Sequence, residues 1–271
     1  VSDLTAFDFI LTNANVTTPQ TTDDITYKVW VTPSGNGPVS VSLPADIAVN
    51  ALQNGNTASN QLNFTGDFIV PVITQIDVPA NGYYHTGDVL TFTAHFSENV
   101  VINTTNGMYN LPININTGIV PAYYTGTFGP NTMTFTYTVK DGDMAVNGIT
   151  FGAKLGTAGN ESIKDAAGND ANINLPATDG SGVIINTAHP DVTLSTSAGA
   201  VVNNAFTATA VFTEAVTGLA VSDFTVSNAT VSNLATTDNI TYTFTVTPAA
   251  DGALSVLLPA DAALNVAGNG N

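Results

Sequence analysis

The chain has 271 residues and a formal net charge of −17, with only four lysines, no arginine and no cysteine. A surface with so few cations cannot neutralise a row of phosphates, so the composition argues against nucleic-acid binding. A hydrophobic content of 44% excludes the usual disordered class, and no apolar run is long enough to insert into a membrane.

The first segment, residues 1–68, alternates apolar residues with threonine and other polar residues. In residues 27–31 the alternation turns the tyrosine and the valines towards a core and leaves Trp30 outside. Another strand is predicted around residues 58–64. Turn signals such as Gly-Asn-Gly at residues 35–37 separate these strands.

The middle segment, residues 69–188, is longer and follows the same pattern. Residues 91–96 and 132–137 alternate polar and apolar residues, which predicts half-buried antiparallel strands. An Asp-Gly-Asp turn follows at residues 141–143, and a loop with the sequence D-A-A-G-N occupies residues 165–169.

The third segment, residues 189–271, contains a copy of the first. Residues 216–271 align with residues 1–56 without a gap, and about half of the aligned positions are identical. Self-similarity of this kind is typical of a repeat array. Strands are predicted at residues 205–212 and 241–247.

Short alternating strands separated by turn signals about every 8 to 12 residues, with no long amphipathic helix, indicate an all-β fold. We expect tandem Greek-key β-sandwiches in a linear array. Three modules are predicted, at residues 1–68, 69–188 and 189–271.

The two outer modules each lack strands that the other contains. The strands near residues 191–196 and 205–213 have no counterpart before Val1, and the strand near residues 58–64 has none after Asn271. We therefore expect the first module to lack its N-terminal strands, the third to lack its last strand, and the chain to be a window of a longer array. Alternatively, a neighbouring chain supplies the strands, as in donor-strand polymers.

Five stretches of the sequence carry a family resemblance: residues 190–195 (P-D-V-T-L-S), 96–100 (F-S-E-N-V), 212–216 (F-T-E-A-V), 244–248 (F-T-V-T-P) and 165–169 (D-A-A-G-N). This pattern resembles the bacterial immunoglobulin-like repeats of very large secreted surface adhesins, including gliding-motility and biofilm types. The resemblance implies that the array consists of tandem immunoglobulin-like Greek-key β-sandwiches. It further implies an extracellular location at the bacterial cell surface. It also implies contacts with neighbouring modules of the same chain, and contacts with surface glycans or other cells through other parts of the parent protein.

Acidic residues recur at equivalent positions of these modules. In an immunoglobulin-like strand order, the end of the second strand and the loop before the last strand lie at the same end of the sandwich. We therefore expect Glu98, Asp165, Asn169 and the linker residue Asp67 to gather there. Oxygen ligands without histidine or cysteine suit Ca²⁺, which would clamp a module to its predecessor. Alternatively, these residues form hydrogen bonds within turns.

A second acidic group, Asp88 with Asp141 and Asp143, is a weaker candidate metal site at the opposite end of the middle module. The Asp-Gly-Asp sequence also fits an ordinary turn. In the third module Asn265 stands where the middle module has an aspartate, so the equivalent calcium site is less complete.

No catalytic motif is present. His85, His95 and His189 are isolated from each other, and the chain has no cysteine or arginine for nucleophilic or phosphoryl-transfer chemistry. We predict that the protein is not an enzyme, and repetition favours a stalk or filament spacer. The alternative is a ligand-binding module, in which an outward Trp30 stacks on a sugar or anchors another contact, unless a loop or a neighbouring module covers it.

Overall fold

A computed structural model describes residues 1, 4–105, 107–127 and 129–271. Nearly all of its regular structure is β-strand, which confirms the predicted all-β class. The described helices are two single 3-10 turns, Ala6–Asp8 and Val221–Asp223.

Short strands follow one another along the whole chain. The first segment contains β1 (Ile10–Thr12), β2 (Ala14–Val16), β3 (Val31–Pro33), β4 (Gly37–Ser42) and β5 (Leu62–Gly66). The middle segment contains β6 (Ile73–Asp77), β7 (Gly82–Tyr84), β8 (Val89–Phe96), β9 (Val101–Asn103), β10 (Asn110–Ile115), β11 (Gly118–Gly126), β12 (Thr132–Thr138), β13 (Met144–Ala145), β14 (Thr150–Phe151), β15 (Ser162–Lys164) and β16 (Val183–Asn186). The third segment contains β17 (Val192–Thr196), β18 (Phe206–Phe212), β19 (Thr225–Ser227), β20 (Ala229–Thr236), β21 (Thr241–Pro248) and β22 (Ser255–Leu257).

The chain divides into two compact units. The first comprises Val1–Val72, Phe96–Asn103 and Ser162–Asn172, and the second comprises Ile73–His95, Thr104–Glu161 and Ile173–Asn271. The three modules predicted from the sequence are a different division of the chain, and their boundaries at residues 68 and 188 stay a prediction.

The first unit contains three small antiparallel sheets, with strand orders β1-β4-β5, β2-β3 and β9-β15. On β4 the inward side chains Val39 and Val41 are buried, as the alternation of apolar and polar residues dictates. Their neighbours on β5, Leu62 and Phe64, remain 51% and 53% exposed. The apolar face of this sheet is therefore only partly covered.

The second unit contains the larger sheets. A six-stranded sheet has the order β14-β10-β11-β12-β8-β6, and β16 lies between β13 and β7 in a separate sheet. Threonines on β8 and β12 alternate with the buried Leu90, Phe92, Phe135 and Tyr137, so each strand turns its large apolar side chains to one core.

The third segment packs a four-stranded sheet, β17-β18-β21-β20, against the two-stranded sheet β19-β22. Its core contains Phe212, Tyr242, Phe244 and Phe224. The rings of Phe212 and Tyr242 meet edge to face with centroids 5.7 Å apart, a favoured aromatic geometry.

The sequence repeat is also a repeat of backbone structure. In the first segment Leu11 pairs with Val41, and the equivalent residues of the third segment, Val226 and Val256, pair in the same register. Asn13 and its equivalent Asn228 both adopt left-handed backbone conformations, with φ of 50° and 54°. The two copies therefore share turn chemistry as well as residue types.

One strand of the first copy is shorter than predicted. The alternation in residues 27–31 predicts a full strand, but β3 covers only Val31–Pro33. The equivalent strand of the third segment, β21, has eight residues because β18 pairs along one edge and β20 along the other. Within the described residues β3 pairs with β2 alone, so a neighbouring strand supports it along one edge only.

Candidate functional site

The loop Asp165–Asn169 is held by the carboxylate of its first residue. Asp165 is only 6% exposed, and its Oδ1 accepts the backbone N–H groups of Gly168 at 2.7 Å and Asn169 at 2.9 Å. Gly168 has φ of +96°, a conformation that glycine adopts without steric strain. The carboxylate therefore shapes the loop, as the hydrogen-bonding alternative expected.

The same loop occurs three times in the part of the chain that the structure describes. Asn50 accepts the N–H groups of Leu52 and Asn54 through its side-chain oxygen, and Asn265 does the same for Ala267 and Asn269. Only the middle copy begins with an ionisable residue. The loop fold itself needs an oxygen acceptor at its first position but no charge.

Asn169 binds the chain that leaves β5. Its side-chain amide donates to the backbone carbonyls of Asp67 at 3.1 Å and Ile69 at 3.2 Å, and to Asp165 Oδ2 at 2.7 Å. The sequence analysis predicted Asn169 as an oxygen ligand for calcium. In the structure it is a hydrogen-bond donor that fastens the Asp67–Ile69 segment to the loop, because two carbonyls and a carboxylate face its nitrogen.

Glu98 reaches the same place from the end of β8. Backbone and side-chain hydrogen bonds between Ser97 and Val72 fix the end of this strand. One carboxylate oxygen each from Asp67, Glu98 and Asp165 then lie within 4.8 Å of one another. Among the described residues, this is the one group of three or more acidic, histidine or cysteine side chains spaced to hold a metal ion.

The electrostatics of this group are unfavourable without a cation. Glu98 Oε1 is buried and has no hydrogen-bond partner within the described residues. Burial raises the pKa of Glu98, and the neighbouring carboxylates of Asp67 and Asp165 raise it further. Burial also acts to raise the pKa of Asp165, but hydrogen bonds from Asn169, Gly168 and Ala167 outweigh it and lower that pKa.

The donor set fits a hard divalent cation. Ca²⁺ takes about six to eight oxygen ligands in flexible geometry, and three carboxylates can provide about half of them, with carbonyls and water for the rest. The nearby amine of Lys164 does not neutralise the group, because it pairs with Asp170 at 2.8 Å. A bound cation would offset the repulsion between these carboxylates and would give the buried oxygen of Glu98 a partner.

The third segment contains a version of this arrangement in which an amide replaces the second carboxylate. Glu214 occupies the position equivalent to Glu98, and its Oε1 accepts the side-chain amide of Asn265 at 3.1 Å. The same amide donates to Ala188 O at 3.0 Å, and Asn269 donates to Asn186 O at 2.8 Å. An amide thus satisfies the glutamate where the middle loop presents a second carboxylate. The sequence analysis missed Asn186 and Ala188, which contribute only backbone oxygens.

The weaker acidic candidates are not brought together as a metal group. Asp143 is buried and accepts hydrogen bonds from the Tyr137 hydroxyl and the Lys140 N–H, in a turn that contains Asp141. Asp88 accepts the backbone N–H of His85. These contacts are those of ordinary turns.

Trp30 points outward, as the alternation predicts, and is 57% exposed. Its backbone N–H and carbonyl pair with Thr17, which fixes its position beside β2. The tyrosine pairs behave similarly, with Tyr83 and Tyr123 exposed and Tyr84 and Tyr124 partly buried. A ligand-binding role for Trp30 stays a prediction.

The strand orders of the third segment, β17-β18-β21-β20 and β19-β22, correspond to strands A-B-E-D and C-F of an immunoglobulin sandwich. Residues 186–271 match the family of bacterial Ig-like domains. Such domains are typically non-catalytic and often extracellular or at the cell surface. Neither a curated protein nor a solved structure matches the chain. In the described part of the chain, no helix has the length and apolarity to cross a membrane.

Proposed function

We propose that this chain is a non-catalytic Ig-like repeat segment of a large extracellular surface protein, and that it acts as a stalk or filament spacer. In this proposal calcium binds Asp67, Glu98 and Asp165 and fixes the segment that follows β5 to the loop Asp165–Asn169. The spacer holds other, ligand-binding parts of an adhesin away from the bacterial surface.

The observation that carries the calcium part is the unpartnered, buried oxygen of Glu98 among three carboxylates, next to a linker that Asn169 already fastens. A bound cation would join residues from three separate stretches of the first unit. Repetition supports the spacer part, because a stalk needs copies of one module whereas a single receptor site does not.

Calcium binding is tested on the whole chain by isothermal titration calorimetry and by thermal unfolding in calcium and in chelator. We expect one site with a dissociation constant of about 0.1–1 mM, the range of extracellular calcium modules. At ten times that concentration, binding adds about 1.4 kcal/mol to the free energy of unfolding.

The matched variants are Asp165→Asn and Asp141→Asn. Each removes one negative charge, the first from the group of three carboxylates and the second from a turn outside it. Asp165→Asn retains the oxygen that the loop needs, as Asn265 does in the third segment, and we expect it to abolish the calcium response. Asp141→Asn should leave the response unchanged. Absence of a calcium response in the unaltered chain, or an equal response in both variants, would contradict the proposed site.

A further inference from the structure

The six-stranded sheet of the second unit has one face that points away from its core. Asn110 lies opposite Tyr123 on the neighbouring strand, and Tyr123 lies opposite Thr136. Thr136 in turn lies opposite Thr91, so these residues form a row across four strands. They alternate along the strands with buried residues such as Ala122, which places the row on the outer side of the sheet. The Tyr123 side chain is 54% exposed there, and we call this surface the Tyr123 face.

The Tyr123 face is uncharged in a strongly acidic protein. Strands β8, β10, β11 and β12 contain no aspartate, glutamate, lysine or arginine, although the chain carries a net charge of −17. Their one histidine, His95, is on the strand next to β6, where its Nε2 is 2.6 Å from Asp77 Oδ2. A ligand can therefore cover the centre of this face without removing an ionised side chain from water, which would cost much free energy.

The third segment has the corresponding sheet without the aromatic ring. The tripeptide T-F-T occupies residues 134–136 and residues 243–245, and the paired strand presents Tyr123 opposite Thr136 but Ser232 opposite Thr245. Within the described residues the sheet of the third segment ends at β20, whereas β10 and β14 extend the middle sheet beyond β11. The fold therefore accepts a small residue at this position, and an exposed tyrosine on a wider sheet is not a requirement of folding.

The groups on the Tyr123 face match the surface of a sugar. A sugar ring has apolar C–H groups on its two sides and hydroxyl groups around its rim. The exposed ring of Tyr123 offers a flat apolar surface with a polar hydroxyl at its end. Within the described residues the hydroxyls of Thr91 and Thr136 make no internal hydrogen bond, and Asn110 adds an amide with donors and an acceptor.

The size and charge of the face favour a sugar chain over other occupants. Ile119 and Pro121 precede Tyr123 at alternate positions of β11, so they lie on the same face. From Ile119 to Tyr123 the strand spans about 14 Å, which is enough for several linked sugars. A second copy of the protein is disfavoured, because two chains that each carry a net charge of −17 repel each other.

We propose that the Tyr123 face binds a neutral polysaccharide. The Tyr123 ring stacks on one sugar, Ile119 and Pro121 contact the next sugars along β11, and the threonine side chains form hydrogen bonds with the sugar hydroxyls. This inference goes beyond the proposed spacer, because it gives the middle segment a ligand of its own, and it does not depend on calcium.

The test measures the migration of the whole chain in native gels that contain a soluble polysaccharide, with chelator present. Dextran, mannan, glucomannan and soluble starch are the neutral probes, and alginate is the anionic control. We expect at least one neutral probe to retard the chain and alginate not to retard it. Retardation by none of the neutral probes, or equal retardation by alginate, would overturn the proposal.

Substitutions at exposed aromatic residues locate the site. Tyr123→Ser copies the residue at the equivalent position of the third segment, and we expect it to lower the affinity for the retarding polysaccharide at least about tenfold. Tyr83→Ser and Trp30→Ser should each change the affinity by less than about twofold, although these side chains are similarly exposed, at 46% and 57%. Thermal unfolding without polysaccharide checks that the three variants fold.

A second pair of variants tests the hydroxyl contacts. Thr136→Val removes a hydroxyl next to Tyr123 and should weaken binding about threefold or more, whereas Thr245→Val at the equivalent position should leave it unchanged. Equal effects within this pair, or a loss of binding in Trp30→Ser as large as in Tyr123→Ser, would overturn the proposal. Self-association of the chain that Tyr123→Ser abolishes would overturn it as well, because a second copy would then be the occupant.

Discussion

Tyr137 is held in place by a hydrogen bond to the buried carboxylate of Asp143. Its hydroxyl donates to Asp143, which is 8% exposed, and this bond fixes the turn after β12. Tyr137→Phe leaves the buried carboxylate with one donor fewer, so we expect the free energy of unfolding to fall by about 1–3 kcal/mol at neutral pH. Urea unfolding measures this loss, and Tyr123→Phe, at an exposed ring, should cost less than about 0.5 kcal/mol.

The same pair predicts an alkaline pH dependence. Burial raises the pKa of Tyr137, and the hydrogen bond and charge of Asp143 raise it further. The folded chain therefore holds the phenol proton more tightly than the unfolded chain, where the pKa is near 10. The contribution is complete below pH 10 and is lost as the pH rises above it. The stability difference between the unaltered chain and Tyr137→Phe should thus shrink above pH 10, and a constant difference would contradict this account.

Residue types alone predicted which acidic groups lie together but not how each one bonds. The recurrence of glutamate after the second strand and of D-A-A-G-N before the last placed Glu98 and Asp165 at one end of a sandwich, and they do lie close together. The sequence could not show that Asn169 offers its nitrogen and not its oxygen. An amide can present either atom, and the choice depends on the backbone carbonyls of Asp67 and Ile69.

At the scale of elements, the loops at residues 165–169 and 265–269 have the same backbone role but open with different side chains. Both fasten the preceding chain segment through the side-chain amide of their last asparagine, but the residue that opens the loop is a carboxylate, Asp165, in the middle segment and an amide, Asn265, in the third. Asn265→Asp removes the donor to Glu214 and to Ala188 O and places a second carboxylate beside the glutamate. In chelator we expect this change to lower the free energy of unfolding by about 1–3 kcal/mol or more.

Chemical unfolding of the Asn265→Asp chain is measured first in chelator and then in calcium. The comparison shows whether the lost stability comes from charge repulsion or from a general loss of packing. If the loop then resembles its middle counterpart, millimolar calcium should restore part of the lost stability. Asp251→Asn serves as the control, because Asp251 is exposed and lies in a separate bend between β21 and β22. An Asn265→Asp chain as stable as the unaltered one in chelator would show that the amide bonds contribute little.

Strand existence was more predictable than strand length. Alternation located β12, β18 and β21 within a residue or two, because large apolar side chains at every second position have only one face to bury. It overestimated the strand at residues 27–31, where the pattern is equally good but β3, among the described residues, pairs with β2 alone. Pairing partners are distant in sequence, so periodicity within one strand cannot report them.

At the scale of the whole molecule, the dominant feature is a negative charge with few compensating cations. The chain carries a net charge of −17 with neutral histidines. Among the described residues Lys164–Asp170 is an ion pair, and His85–Asp88 and His95–Asp77 become ion pairs when the histidine is protonated. Exposed pairs of this kind contribute about 0–1 kcal/mol each, whereas like-charge repulsion acts across the whole surface. Folding must therefore concentrate carboxylates that the unfolded chain keeps further apart.

Monovalent salt should consequently stabilise this protein. Screening shortens the range of charge interactions from about 30 Å at 0.01 M to about 10 Å at 0.1 M salt, and here it weakens mainly repulsion. We expect the midpoint of thermal unfolding in chelator to rise as sodium chloride increases over this range. Calcium chloride added at matched ionic strength should raise the midpoint further in the unaltered chain but not in Asp165→Asn. Screening acts on all carboxylates, whereas coordination of calcium needs Asp67, Glu98 and Asp165 together. A midpoint that falls with sodium chloride would mean that the few attractive pairs outweigh the net charge.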